Sequence, residues 1–377
     1  MPACGWFKNH AILLGGMLLL AGGILYLASQ RLRLEQLSSE AQTSPLSPPT
    51  IRATLVRTIQ TSQFSPPAPD AAGLAYNLVA NRLIMSDSEV EEMTIWQGAN
   101  LFEIDLSGNL LRTANTTSFT NEPTGVAFNA ANGHIFISDD NLKRVFEINP
   151  GADRLHGTAD DTRTFFGTAE FGGSDPEGIA FGQGSLFIAG GIDAEVWRVS
   201  PGVNGRFDGV PPGGDDQVTH FDTAGIGLPD PEGIEFNSDT NTLYVVSTNR
   251  AMREISLEGI VRAIIDISAI NAVKPAGLAY APSSLNPSAK NIYIAERGVD
   301  NNNDPTENDG KIYEISISAL PSSGNPADLN ADGKVDVIDL GILLSVWGQT
   351  TKPKSDINQD GRVDVIDLGI LLAKWGS

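Results

Sequence analysis

The chain has 377 residues, with 46 Asp and Glu against 25 Lys and Arg, for a formal net charge of −21 at pH 7. That length allows two or three domains, and an acidic chain without a clustered Lys or Arg run speaks against nucleic acid as a partner. Cys4 is the only cysteine and there are four histidines, so an intramolecular disulfide and a cysteine-based zinc site are excluded.

An apolar run occupies residues 11–28, preceded by Lys8 and followed by Arg31 and Arg33. As a helix it would span about 27 Å, enough to cross most of a bilayer core. It is longer than a usual signal-peptide core, and cleavage after Ala28 would leave Tyr26 at −3. Residues 1–30 therefore read as a transmembrane signal anchor, with a cleaved signal as the alternative. Residues 31–50 are rich in Pro and Ser and read as a linker.

Residues 51–317 carry a weak internal repeat. Gly73, Gly125, Gly178, Gly233 and Gly277 each stand before a short apolar stretch ending in Tyr76, Phe128, Phe181, Phe236 or Tyr280. A second strand begins near Leu83, His134, Leu186, Leu243 and Ile292, and a third near Leu101, Val145, Val196, Met252 and Ile312. Fourth strands begin near Leu110, Arg163, Val218 and Val261, and residues 54–59 are expected to supply the fifth and close the ring. Four strands per period of about 50 residues predict a mainly β fold, a five-bladed β-propeller, or six-bladed if a degenerate blade lies in a long loop. A stacked β-solenoid would have shorter repeats.

In a propeller, the loops entering the first strand and leaving the second meet around the centre. The entering loops supply Asp175, Glu177, Asp230 and Glu232; the leaving loops supply Asp87, Asp139, Asp193, Asn249 and Glu296. Carboxylates converging there repel unless a cation sits among them, which points to a Ca²⁺ site in the propeller with oxygen ligands. The structural alternative is that the turn glutamates bond backbone amides. The Pro-Glu-Gly turns at Glu177 and Glu232 resemble those of the gluconolactonase-like and SdiA-regulated propellers. In the gluconolactonase-like family such a glutamate binds a divalent metal, making Glu177 and Glu232 the candidate catalytic residues. No G-x-S-x-G elbow is present, which argues against a serine hydrolase. Two acidic loops, ending in Asp160-Asp161 and Asp215-Asp216, occupy equivalent places between third and fourth strands. A third, from Asp300 to Asp309, has Pro305 where a calcium loop needs glycine.

After a second linker at 318–326, residues 327–377 contain one motif twice. Asp328, Asn330, Asp332, Asp336 and Asp339 stand at loop positions 1, 3, 5, 9 and 12, with Gly333 at 6. Asp356, Asn358, Asp360, Asp364 and Asp367, with Gly361, repeat the pattern. Position 7, Lys334 or Arg362, offers a backbone carbonyl. This is the spacing of a twelve-residue loop around Ca²⁺. Leu340, Leu343, Leu344 and Trp347, and again Leu368, Leu371, Leu372 and Trp375, fall at helical spacing.

A loop-then-helix unit, duplicated, with aspartate rather than glutamate at position 12, resembles the dockerin family. The resemblance implies a small all-α domain folded around two Ca²⁺ ions that plugs into a cohesin-like module of another protein. It also implies that loop positions 10 and 11, Val337, Ile338, Val365 and Ile366, choose the partner; a core contact between the halves is the structural alternative. Weak Ca²⁺ sites fill where the ion is near 10⁻⁴–10⁻³ M, so the body is expected outside the cell, on the membrane or secreted. The expected function is a binding protein docked through Ca²⁺, its propeller holding a carbohydrate, peptide or protein ligand. The alternative is a metal-dependent hydrolase, a lactonase, esterase or glycoside hydrolase of polysaccharide catabolism, tethered by the same plug.

Overall fold

The computed structural model describes residues 48–299, 301–319, 326–330, 334–349, 354–358 and 360–376. The apolar run at 11–28 lies outside them, as do Asp300, Asp332, Gly333 and most of both linkers. Among the described residues no helix is long and apolar enough to cross a membrane.

The fold is mainly β and propeller-like. Strand β1, Thr50–Gln60, precedes a first blade of β2 Ala71–Asn77, β3 Arg82–Asp87, β4 Leu101–Asp105 and β5 Leu110–Ala114. The second holds β6 Pro123–Phe128, β7 Ile135–Asp139, β8 Arg144–Asn149 and β9 Thr162–Gly167. The third holds β10 Pro176–Gly182, β11 Ser185–Gly190, β12 Glu195–Ser200 and β13 Gln217–Asp222. The fourth holds β14 Pro231–Asn237, β15 Thr242–Ser247, β16 Met252–Ile255 and β17 Val261–Asp266. In the last, β18 Pro275–Pro282, β19 Lys290–Glu296 and β20 Lys311–Ala319 are completed by β1. No sixth four-stranded unit is present among the described residues.

Burial explains the pattern of the strands. All six residues of β11 are buried, so it reads as a continuous apolar run, whereas the outermost strand β9 is largely exposed. Gln183 and Gly184, both at positive φ, make the two-residue turn from β10 to β11. The core lies between blades: Phe136 of one stacks on Phe181 of the next at 5.8 Å, and Phe187 on Phe236 at 6.2 Å.

The recurring glycines sit where the first strands meet. Those five strands touch in a closed cycle, β2 to β6, β10, β14, β18 and back to β2. A Cβ at Gly73 would lie 2.7 Å from Val126 N, one at Gly125 2.6 Å from Glu177 O, and one at Gly178 2.5 Å from Glu232 O. Gly233 meets Ala276, and Gly277 meets Ala72 and Gly73, in the same way. Each first strand also shifts register beside its glycine.

Strand β1 closes the ring, and over a longer stretch than expected. It pairs antiparallel with β20, Leu55 opposite Ile315, and its first residues pair parallel with β17, Ile51 opposite Ile265. Ala53 and Ile59 are buried there. A chain beginning at Ala71 leaves the edge of β20 open, and open edges template aggregation. Such a truncation is expected to elute as aggregate and to melt below the full chain; unchanged elution and melting would show that the ring closes without β1.

Candidate functional site

The first strands converge at their glycines, so the loops just before them converge as well. Arg297, directly after β19, lies among the acids these loops carry. Its Nε is 3.3 Å from Asp70, Nη2 2.6 Å from Glu89 and Nη1 3.8 Å from Glu232. Burial opposes the arginine's charge, but Asp70, Glu177, Glu232 and Glu89 outweigh it and hold its pKa well above the ordinary value. Arg297 thus places one cation of the chain itself among these acids.

Glu177 and Glu232 both join this cluster. Burial, then the charge of Glu232, pushes the Glu177 carboxyl well above the usual range. Glu232 is also raised, by burial, with Arg297 opposing. Oxygen atoms of Asp140, Asp175 and Glu177 lie within 4.8 Å of one another, while Glu232 is on the Arg297 side and outside that group. Burial and Asp175 push Asp140 up to about 6, and burial lifts Glu91 to about 7. Glu122 is lifted to about 9 by burial and by Asp140.

The expected leaving-loop residues do something else. Asp87 accepts from Asp70 N and Val90 N, Asp193 from Ser174 N, and Glu296 from Val273 N and Lys274 N. Asp139 accepts from Thr120 Oγ1 and Leu142 N, and Asn249 donates to Gly227 O. Each braces its own blade's loops. The residues that join the central cluster are Glu89, Asp140 and Arg297, one or two positions further on.

The C-terminal segment forms two short helices, α1 Val337–Ser345 and α2 Val365–Ala373. Both stop before the tryptophan that the helical spacing included. Trp347, Trp375, Leu344 and Leu372 are exposed, and the small core is built from Ala327, Leu329, Val335, Leu343, Ile357, Val363 and Leu371. Each helix is capped by its loop: Asp336 and Asp364 accept from Ile338 N and Ile366 N, and Asp339 and Asp367 accept from the cap residues' own amides, all at 2.8 Å.

Position 12 also ties down the loop entrance. Asp339 Oδ1 accepts from Leu329 N and Asn330 N, and Asp367 Oδ1 from Ile357 N and Asn358 N. Burial raises the Asp367 carboxyl, but these bonds outweigh it and hold the group below its ordinary value. In the second loop Asp360 N and Gly361 N donate to Asp356, and Arg362 N donates to Asp360, with Gly361 at φ +97°. The carboxylates thus fold inward over their own turn. Asp328 is buried, Asn330 and Asp336 are half-buried, and Lys334 and Arg362 are exposed. The halves exchange equivalent bonds: Gly348 N donates to Val363 O and Gly376 N to Val335 O, each at 2.8 Å. An oxygen-only donor set of this kind fits Ca²⁺.

Residues 326–374 match the dockerin type I domain. Val337, Val365 and Ile366 at dockerin positions 10 and 11 are 56%, 68% and 53% exposed, with Ile338 half-buried, so they do not form a core contact between the halves. No curated protein matches the chain. Similar solved structures include Myxococcus xanthus glutaminyl cyclase, at 14% identity over 72% of this chain and 99% of that one, TM-score 0.46. They also include the PQQ-bound aldose sugar dehydrogenase of Streptomyces coelicolor, at 14% over 72% and 100%, TM-score 0.44. A third is virginiamycin B lyase from Staphylococcus aureus, at 13% over 72% and 76%, TM-score 0.36. Likenesses of this strength carry no chemistry across.

Two measurements follow from the geometry. The central acids with raised pKa values bind protons more tightly folded than unfolded, so their protonation stabilises the fold, and that stability is lost as pH rises from the ordinary carboxylate range toward 9. In chelator, the propeller transition should therefore melt lower at about pH 8 than at about pH 5.5, and Glu122→Gln should flatten the slope; melting that rises with pH contradicts this. Among its described residues the dockerin domain buries a core of seven apolar side chains, and small domains need a staple. Circular dichroism of residues 326–377 should gain helix on adding roughly millimolar Ca²⁺, and equal helicity in chelator would remove the metal from the folding balance.

Proposed function

We propose that this chain is an extracytoplasmic binding protein, attached through its dockerin domain to a cohesin-type module, with the five-bladed propeller as its ligand-binding body. One observation carries the reading: the repeated Ca²⁺-loop spacing, each copy followed by a helix that leaves apolar side chains in water. Val337, Leu344 and Trp347 on one half, and Val365, Leu372 and Trp375 on the other, are exposed without a partner surface among the described residues. Such apolar exposure beside a metal-organised turn suits a docking plug. Asp328, Asn330, Asp336 and Asp339, with Asp332, would hold one ion, and Asp356, Asn358, Asp360, Asp364 and Asp367 the other. When bound, the ions neutralise the repulsion that these acids otherwise exert.

The body of the protein stands outside the membrane in this reading, anchored by residues 1–30 or released if they are cleaved. On the propeller, a cleft of about 630 Å³ between the second and third blades is lined by His134, Glu147, Arg163, Phe165, Arg206 and Asp208. Its mixture of polar groups and a half-exposed ring suits a carbohydrate or peptide ligand. The central cluster, with Arg297 tied to its carboxylates, serves the electrostatics of the ring, and no observation favours hydrolysis there.

The equivalence of the halves predicts docking in either of two orientations. Changing Val337→Asp and Ile338→Asp together, or Val365→Asp and Ile366→Asp together, should lower cohesin affinity by only a few-fold. Changing all four should abolish Ca²⁺-dependent capture of the full chain, since each buried anchor contributes roughly 1.5–3 kcal/mol. If either pair alone eliminates binding in a folded domain, the plug uses one half only. Capture that survives chelator would reject the Ca²⁺ dependence itself.

A further inference from the structure

The loop from β12 to β13, residues 201–216, holds three carboxylates in a confined space. Oxygens of Asp208, Asp215 and Asp216 lie within 4.8 Å of one another. Asp216 is 4% exposed; its Oδ2 accepts from Asp208 N and Gly209 N, at 3.1 and 2.8 Å. Asp216 Oδ1 and Asp215 Oδ1 are buried and have no hydrogen-bond partner. The remaining oxygens are fixed from outside. Asp215 Oδ2 accepts from Val203 N and Asn204 N, and Asp208 accepts from Asp215 N and Asn204 Nδ2. A Cβ at Gly202 would collide with Asp215 and one at Gly214 with Asp208, so both glycines let the acids approach the backbone.

The second blade contains an internal control. Its loop from β8 to β9 places Asp160 Oδ2 at 2.8 and 3.3 Å from Ala152 N and Asp153 N, the same distances as Asp215 from Val203 N and Asn204 N. Asp161 Oδ2 accepts from Gly157 N and Thr158 N, as Asp216 does from Asp208 N and Gly209 N. The free oxygens there share a hydroxyl: Thr158 Oγ1 is 2.7 Å from Asp160 Oδ1 and 3.3 Å from Asp161 Oδ1. Residues 201–216 contain no serine or threonine, and their third carboxylate, Asp208, joins the pair, whereas the control loop's third, Asp153, is exposed and accepts from Leu155 N instead. The same backbone cradle has lost its donor and drawn its third carboxylate in among the other two.

A buried anionic acceptor without a donor is expensive, and three carboxylates in one cage repel. A cation removes both penalties at once. We infer that Asp208, Asp215 and Asp216 form a Ca²⁺ site in the third blade, separate from the dockerin loops and from the central cluster. Oxygen-only ligands without imidazole or thiolate select a hard ion. The ion would stiffen a loop whose residues Gly205, Arg206, Phe207 and Asp208 form one wall of the interblade cleft.

Equilibrium dialysis of ⁴⁵Ca²⁺ against the full chain tests the assignment, at ion concentrations that saturate the dockerin loops. Asp215→Asn with Asp216→Asn keeps the oxygens that accept the backbone amides and removes the charge. The doubly substituted chain should bind one ion fewer than the wild type and lose part of the Ca²⁺-dependent rise in propeller melting, with melting in chelator unchanged or higher. Asp208→Asn, in a less buried position, should lose the same ion and decides the matter if the double substitution does not fold. Asp160→Asn with Asp161→Asn, in the control loop, should leave the count unchanged. An unchanged count in folded Asp208→Asn, or an equal loss from the control loop, overturns the assignment.

Discussion

Five strands can meet around one centre only where their backbones touch, and here each touches its neighbour at a glycine. The cycle from Gly73 through Gly125, Gly178, Gly233 and Gly277 leaves no space for a Cβ against the next blade. The rest of the propeller hangs on this contact. It brings the first strands close enough for Phe136 and Phe187 to stack on the following blade, and it carries the preceding residues of each entering loop inward. Glu177 and Glu232 are central because they stand one position before Gly178 and Gly233. A single alanine at one of these positions would push two blades apart, and a well-packed interior resists such overpacking by roughly 1–3 kcal/mol.

That same convergence creates an electrostatic problem, to which Arg297 is the local answer. A guanidinium suits it better than an ammonium, because a planar fork keeps its charge when buried and reaches several carboxylates at once. Asp70, Glu89 and Glu232 each lie within 4 Å of a different guanidinium nitrogen. One cation cannot neutralise the remaining acids, and burial pushes Glu91, Glu122, Asp140 and Glu177 up toward their neutral forms. The centre therefore combines one ion-pair hub with acids that burial biases toward their neutral forms.

The blade period was legible because the second strand of each blade is buried on both faces, as in β11, and so writes a continuous apolar run between turn residues. Ring closure by the N-terminal strand was legible from counting: one fourth strand was missing and residues 54–59 could supply it. The contents of the centre were only half legible. Glu177 and Glu232 follow from the Pro-Glu-Gly turns, but Asp87, Asp139 and Glu296 end their strands with side chains turned onto backbone amides. Successive residues at a strand end point in opposite directions, so an error of one position exchanges a brace for a central group. Arg297 had a signal that went unread: it is the basic residue directly after a second strand, where the other blades have Ser88, Asp140, Gly191 and Thr248. In the C-terminal domain the helical spacing ran on to Trp347 and Trp375, but the chain leaves the helix first, and the periodicity of apolar residues there continues onto the surface.

The dockerin loops and the Ca²⁺ site inferred in the third-blade loop would set the same chemistry in two contexts. In the dockerin domain, acids at fixed spacing bend a turn around the place of an ion, and position 12 links that turn to the helix: Asp367 binds amides at the loop entrance and at the helix cap together. Anything that draws the loop acids inward is thereby felt at Val365 and Ile366, the exposed residues at the start of α2. In the third blade the paired strands β12 and β13 already hold the loop ends, and an ion at the inferred site would stiffen only the loop between them. A metal would thus be a folding element where the described residues bury a core of seven side chains, and, in the site inferred above, a local clamp where the blades supply the core. The difference lies in how much apolar surface each domain buries without it.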